Sequence, residues 1–220
     1  MSANFLLVGV GGQGILVAAD LVALAGLELG LDVKKSEIHG IAQRGGSVSS
    51  QVRWGQRVYS PLILPGEVDY LLAFERLEAL RHLELLRPGA IVLCNDYRLA
   101  PASVTAGTEV YPTAAQEQEA YAGIRRHYLP ALRIAQELGS AQVSNVVLLG
   151  ALSTFMEVPE QVWQRAIALR VPERLVALNQ QAFAVGRAYL ALNQESASGQ
   201  PLVMTAGALS PTPQAVAGTS

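Results

Sequence analysis

The residues with the most chemistry to offer stand near the start of the chain. Gly9-Val10-Gly11-Gly12-Gln13-Gly14 sets glycines at the spacing G-x-G-x-x-G. Glycines so spaced allow a tight turn, admit a phosphate close to the backbone, and aim the free amides and positive dipole end of a following helix at it. The competing role is a close-packed turn that binds nothing. A second polar stretch covers 36–47, with Ser36, Glu37, His39, Gln43, Arg44, Gly45 and Gly46. Arg44 has the forked guanidinium that grips a phosphate or carboxylate with two hydrogen bonds. His39 titrates near neutrality, but no Ser, Cys or Asp stands at a recognisable catalytic spacing from it. No catalytic residue is assigned. Glu75, Asn95 and Asn145 complete the candidates. The first two follow apolar strand-like runs, where open α/β sheets gather ligands. A glutamate in a first helical turn and an ordinary Asn-Asp turn are the plainer readings. Asn145, just inside a helix start, presents its amide to a ligand or serves as a cap.

For the glycines to cradle an anion, a strand must deliver the chain to them and a helix must leave. Residues 4–9 form a short apolar run ended by glycine, the pattern of a strand covered on both faces. Over 13–30, Ile15, Leu16, Ala19, Val22, Ala23 and Gly26 recur at helical spacing, with Gly30 as the C-terminal cap. A second strand is predicted over 33–37 and a loop over 40–46. Residues 47–54 and 58–63 alternate about Gly55-Gln56, which predicts a hairpin and a sheet mixed at one edge. Residues 70–74 read as a strand, 75–86 as a helix stopped at Arg87-Pro88-Gly89, and 90–94 as a strand closed by Asn95-Asp96. The pattern over 113–138 is helical with a break near Pro130. Ser144 caps a helix over 145–155, and Pro159 and Pro172 open two more. The expectation is a Rossmann-like three-layer α/β sandwich with a mostly parallel sheet, one domain over 1–195. Residues 196–220 turn to Ala, Gly, Ser, Pro and Thr with almost no charge, a tail expected to be disordered.

Bulk composition narrows the function. Half of the 220 residues are hydrophobic and 15% are charged, which suits a sheet covered on both faces and surface buried against partners. A net charge of -2 leaves no electrostatic footprint for a nucleic acid. Cys94 is the only cysteine, so the chain closes no internal disulfide and holds no iron–sulfur cluster, which takes about four thiolates. It reads as a small buried hydrophobe. The first apolar run falls far short of the roughly 20 residues that span a bilayer, and no basic segment precedes it as in a signal peptide. The expected location is cytoplasmic, with no membrane contact.

Taken together, Gly9 to Ile15 and the block Ser36-Glu37-Ile38-His39-Gly40-Ile41-Ala42-Gln43-Arg44-Gly45-Gly46-Ser47-Val48 resemble a known family. It is the gamma subunit or domain of 2-oxoacid:ferredoxin oxidoreductases, and most of all the beta-subunit type of the indolepyruvate enzymes. Ser60-Pro61, the run from Asp69 to Glu75, Pro88-Gly89 and Ser144-Asn145-Val146 match as well, so the resemblance spans about 4–192. It implies a subunit, inactive alone, of an enzyme that oxidatively decarboxylates a 2-oxo acid to an acyl-CoA and passes electrons to ferredoxin. Thiamine diphosphate and [4Fe-4S] clusters then belong to a partner chain, while this chain helps bind coenzyme A and covers the active site. A free-standing NAD- or FAD-binding oxidoreductase is the alternative. Such a domain carries an acid at the end of its second strand; Glu37 lies there, but Lys34 and Lys35 before it suit a more anionic ligand.

Overall fold

Apolar runs and glycine breaks set out six strands and eight α-helices, in a computed structural model that describes residues 1–39, 46–100 and 102–194. The strands are β1 (Ala3–Val10), β2 (Asp32–His39), β3 (Ser47–Gly55), β4 (Val68–Ala73), β5 (Leu86–Asn95) and β6 (Arg125–Leu129). The helices are α1 (Ile15–Glu28), α2 (Arg76–Leu80), α3 (Ala102–Thr105), α4 (Ala114–Ala120), α5 (Ala131–Glu137), α6 (Ser144–Leu152), α7 (Glu160–Arg170) and α8 (Glu173–Gln194). They form one sheet in the order β2-β3-β1-β4-β5-β6. β1, β4, β5 and β6 are parallel, whereas β3 runs antiparallel to both β1 and β2. This is the expected α/β sandwich, with the sheet mixed at one edge.

Alternation along β1 divides the core. Phe5 and Leu7 face α1, α5, α6, α7 and α8, while Leu6 and Val8 face the smaller layer of Ala79, Tyr121 and the 83–85 turn. In the larger layer an aromatic column ties sheet to helices: Trp54 lies 4.6 Å from Phe5 and 6.2 Å from Trp163, which lies 5.9 Å from Phe183. The α6–α8 crossing is closer than side chains allow. A Cβ on Gly150 would sit inside the carbonyl of Phe183, and one on Gly186 inside that of Val147. The two backbones rest directly on each other at these glycines.

Ser144 is the first residue of α6 and not its cap, and three expected elements differ from the structure. Residues 58–63 form no strand. Arg53 donates 2.7 Å to the Leu62 carbonyl and the Gln51 side chain accepts 2.7 Å from Ile63, so side chains rather than a ladder hold this segment, and Pro61 has no amide to pair. The antiparallel partner of β3 is β2 instead. The expected helix over 75–86 is only α2 and a short 3₁₀ turn at Leu83–Leu85, because β5 starts at Leu86 and takes in Arg87-Pro88-Gly89 through a register shift against β4. Within the expected helical stretch 113–138, β6 intervenes between Gly123, which has a positive φ of 75°, and Pro130. The expected tail 196–220 lies outside the described residues. No helix among the described residues is long and apolar enough to cross a membrane.

Candidate functional site

The glycine turn joins the C-terminal end of β1 to α1 at the middle of the sheet. Gly12 and Gly14 have φ of 102° and 79°, in the left-handed region where a side chain is strained, so glycine is required at both. Gly9 is required for space, since a Cβ there would lie 2.8 Å from that of Phe74. Gln13 closes the turn from within: its amide nitrogen donates to the Val10 carbonyl at 3.2 Å, and its side-chain oxygen accepts from the Val10 amide at 2.7 Å. The Gly11 amide donates 2.8 Å to the Gly46 carbonyl, which brings the end of the β2–β3 connection beside the turn.

The other two candidate amides act on the same floor. Asn95 and Gln13 both donate to the Phe74 carbonyl, at 3.3 and 3.2 Å, and Asn95 accepts from the Leu132 amide at the start of α5. Asn145 donates 3.2 Å to the Gly14 carbonyl and accepts from the Val146 amide. Each is nearly buried and spends hydrogen bonds on backbone. Together they fix β1, β4, β5, α5 and α6 against the glycine turn.

Glu75 has a different position. It is fully buried as the N-cap of α2 and accepts from the Leu77, Glu78 and Leu99 amides and from the Tyr111 hydroxyl. Burial and this carboxylate both push the Tyr111 phenol up. Glu75 therefore holds down the segment after β5, from which Tyr97 and Leu99 face the glycine turn. Beside it, the buried Glu78 accepts from Ser47 at 2.6 Å and pairs with Arg81, anchoring the first residue of β3.

These parts enclose a cavity of about 660 Å³ lined by Gly11, Gly12, Gln13, Gly14, Asn95 and Asn145 from the expected set. Glu75, Ser36, Glu37 and Gly46 lie off it. Ser36 and Glu37 are within β2, as in the predicted strand, level with Leu6 and Leu7 of β1. Glu37 accepts from Lys35 at 2.6 Å. His39 ends β2, while Arg44 and Gly45 lie outside the described residues. The start of α1 opens here with no side-chain cap and no acid in its first turn, whereas at α6 the Ser144 amide donates to the Ala141 carbonyl and the Val146 amide to the Asn145 side chain. By contrast α2 and α4 are capped by Glu75 and Thr113. The uncapped start of α1 leaves amide donors and a positive dipole end for an anion. Val17, Leu132, Val171, Leu175 and Leu178 supply an apolar wall.

The sequence reading missed Arg170, the cation that lines this cavity among the described residues. Its Nε donates 2.7 Å to one oxygen of Asp20, whose other oxygen accepts from Lys35. Burial pushes the Asp20 carboxyl up, but the hydrogen bonds from Lys35 and Arg170 outweigh it and hold the group below the ordinary carboxylate range. No local motif marks Arg170. The available signal is its position at the end of a helix just before Pro172. Cys94 is wholly buried, and burial pushes its thiol well up, so it packs and offers no thiolate.

Comparison with known proteins agrees with this architecture. The model of the family described as pyruvate ferredoxin/flavodoxin oxidoreductase matches residues 4–189. The chain is similar to indolepyruvate oxidoreductase subunit IorB of Thermococcus kodakarensis, at 38% identity over 188 residues, covering 83% of this chain and 93% of the relative. It is 39% identical over 195 residues to subunit IorB of Archaeoglobus fulgidus, covering 84% and 94%. Among solved structures it resembles the gamma subunit of a keto/oxoacid ferredoxin oxidoreductase from Geobacter sulfurreducens, with TM-score 0.64, 25% identity, and 86% and 99% of the two chains covered. It has the same fold as part of a 2-oxoglutarate:ferredoxin oxidoreductase from Magnetococcus marinus, solved with 2-oxoglutarate, coenzyme A and succinyl-CoA bound, with TM-score 0.66, 23% identity, and 87% and 31% covered. With the family model over most of its length and relatives matched nearly end to end, the chain belongs to the pyruvate ferredoxin/flavodoxin oxidoreductase family, as an IorB-like subunit of a 2-oxoacid:ferredoxin oxidoreductase.

Proposed function

We propose that this chain supplies part of the coenzyme A site, and covers the active site, of an enzyme that oxidatively decarboxylates indolepyruvate or a related arylpyruvate to an acyl-CoA. The observation that carries the reading is the cavity itself. It combines an uncapped helix start at a glycine turn with an apolar wall, the pairing that a polyphosphate with a long uncharged arm requires. The names of the relatives support the aromatic substrate, and the Magnetococcus protein, which shares the fold, is one that takes coenzyme A. Gly12, Gly14 and the first amides of α1 would hold the phosphates, while Val17, Leu175 and Leu178 would line the arm.

The chain's own residues do not suit the other groups of the reaction. One buried cysteine with a raised thiol gives no cluster ligand set, so the [4Fe-4S] clusters are assigned to a partner chain, and thiamine diphosphate, as the family resemblance implies, to that chain as well, from which ferredoxin takes the electrons. This chain positions the carrier and excludes water. Binding of NAD is disfavoured by topology. β3 separates β2 from β1, so Glu37 stands two strands away, about 10 Å across the sheet, and is engaged by Lys35.

Calorimetric titration of the full chain and of its complex with the thiamine-bearing subunit tests the reading. Coenzyme A is expected to bind and NADH not to. The chain alone is expected to be inactive, with indolepyruvate turned over on reconstitution. Tight NADH binding with no response to coenzyme A would replace this reading with the free-standing dehydrogenase.

A further inference from the structure

Among the described residues of the larger helical layer, one charged side chain lines the cavity without belonging to the glycine turn. Arg170 ends α7 and lines the cavity with Gly12, Gly14 and Asn145. Its Nε is taken by Asp20 of α1 at 2.7 Å, and among the described residues neither Nη has a hydrogen-bond partner. Holding Nε fixes the plane of the guanidinium and leaves its two-pronged end, the part that matches a phosphate, uncommitted. Asp20 is in turn shared with Lys35, one oxygen to each cation, and Lys35 also takes Glu37. The carboxylate thus orients the guanidinium without neutralising it alone.

We propose that Arg170 is a specificity-determining residue that reads a phosphate group of the ligand in this cavity, and that Asp20 is the positioning residue that aims it. The proposal rests on the coenzyme A reading only for the identity of the carrier; the chemistry it names is an oriented guanidinium against a phosphate. A surface ion pair joining α1 to α7 would need none of this. It would leave ligand preference untouched when broken.

The test uses the full chain, alone and in its complex, with three probes: coenzyme A, pantetheine, which has the thiol arm and no phosphate, and inorganic pyrophosphate. Arg170→Gln is expected to weaken coenzyme A and pyrophosphate by about tenfold or more, the loss of a charge-assisted pair, and to leave pantetheine unchanged. The dependence of coenzyme A affinity on salt should flatten with it. Asp20→Asn should weaken the same two ligands by a smaller factor, and should add nothing in the Arg170→Gln background, because it acts only through that side chain. Equal weakening of pantetheine, or unchanged affinity for both phosphate ligands in a folded Arg170→Gln chain, overturns the proposal. So does an Asp20→Asn effect that persists without Arg170. Pyrophosphate binding lost in Arg170→Gln, with coenzyme A bound by neither protein, would keep the proposal and discard the carrier. Failure of the wild-type chain and complex to bind either phosphate ligand would discard both.

Discussion

The Phe74 carbonyl accepts from Gln13 and Asn95 at once, so two residues from separate elements hold one backbone oxygen at the floor of the cavity. Gln13→Met keeps the length of the side chain but leaves the Val10 amide without its acceptor. A loss of about 2 kcal/mol is expected in urea denaturation, the cost of an unmet buried donor. Tyr111→Phe removes one donor from buried Glu75 and should cost about 1 to 2 kcal/mol. Faster hydrogen exchange at the Leu99 amide, which shares that carboxylate, would locate the effect. Gln13, Asn95 and Asn145 could be picked out from sequence because strand ends and helix starts are visible as patterns. Their bonding to backbone could not, since it depends on pairs such as Asn145 and Gly14 that lie far apart in the chain. Glu75 could equally be noticed as a helix-start acid. What the sequence hid is that its remaining oxygen turns to Leu99 and Tyr111.

At the level of elements, β1, the glycine turn and α1 were legible because strand, breaker and helical period follow each other without overlap. β6 was not, since Arg125-Arg126-His127-Tyr128-Leu129 is a polar edge strand with no apolar alternation; its only signal is the breakers Gly123 and Pro130 on either side. The segment 58–63 misled in the opposite sense, with alternation that serves side-chain bonds to β3 instead of a ladder. Nothing in the sequence announced the α6–α8 crossing either. Gly150→Ala or Gly186→Ala must push the helices apart and should each cost about 3 kcal/mol, read from the urea midpoint. Gly30→Ala is the control. Gly30 has φ of 73° and open space around it, so only backbone strain is expected there, about 1 kcal/mol. Similar losses at all three positions would show that the crossing is not tightly seated.

Over the whole molecule, acid should act partly through the β6 edge. Burial first, then the Arg125 charge, lowers the His127 pKa, and its Nε2 is a buried atom without a hydrogen-bond partner among the described residues. The ring lies 5.0 Å from Phe155. With the folded value depressed, the unfolded chain takes the proton first. The penalty is absent well above the ordinary value of 6.5 and grows as pH falls below it, until the folded form is protonated too. Urea midpoints taken from pH 7.5 down to 5 should fall, and fall less in His127→Phe; equal slopes would remove His127 as the cause. Acid of this kind loosens an edge and leaves the centre of the sheet alone. The centre has its own asymmetry, set by the glycine seat between α6 and α8. Helices that touch backbone to backbone cannot slide or spread without breaking contact along their length, so Asn145 on one and Leu175, Leu178 and Asn179 on the other form a fixed jamb. The facing wall, the stretch bearing Tyr97 and Leu99, has no such seat and is held by hydrogen bonds from the Leu99 amide to Glu75, from the Arg76 amide to the Tyr97 carbonyl and from Arg98 to Glu117. Any widening of the cavity is therefore expected on that side.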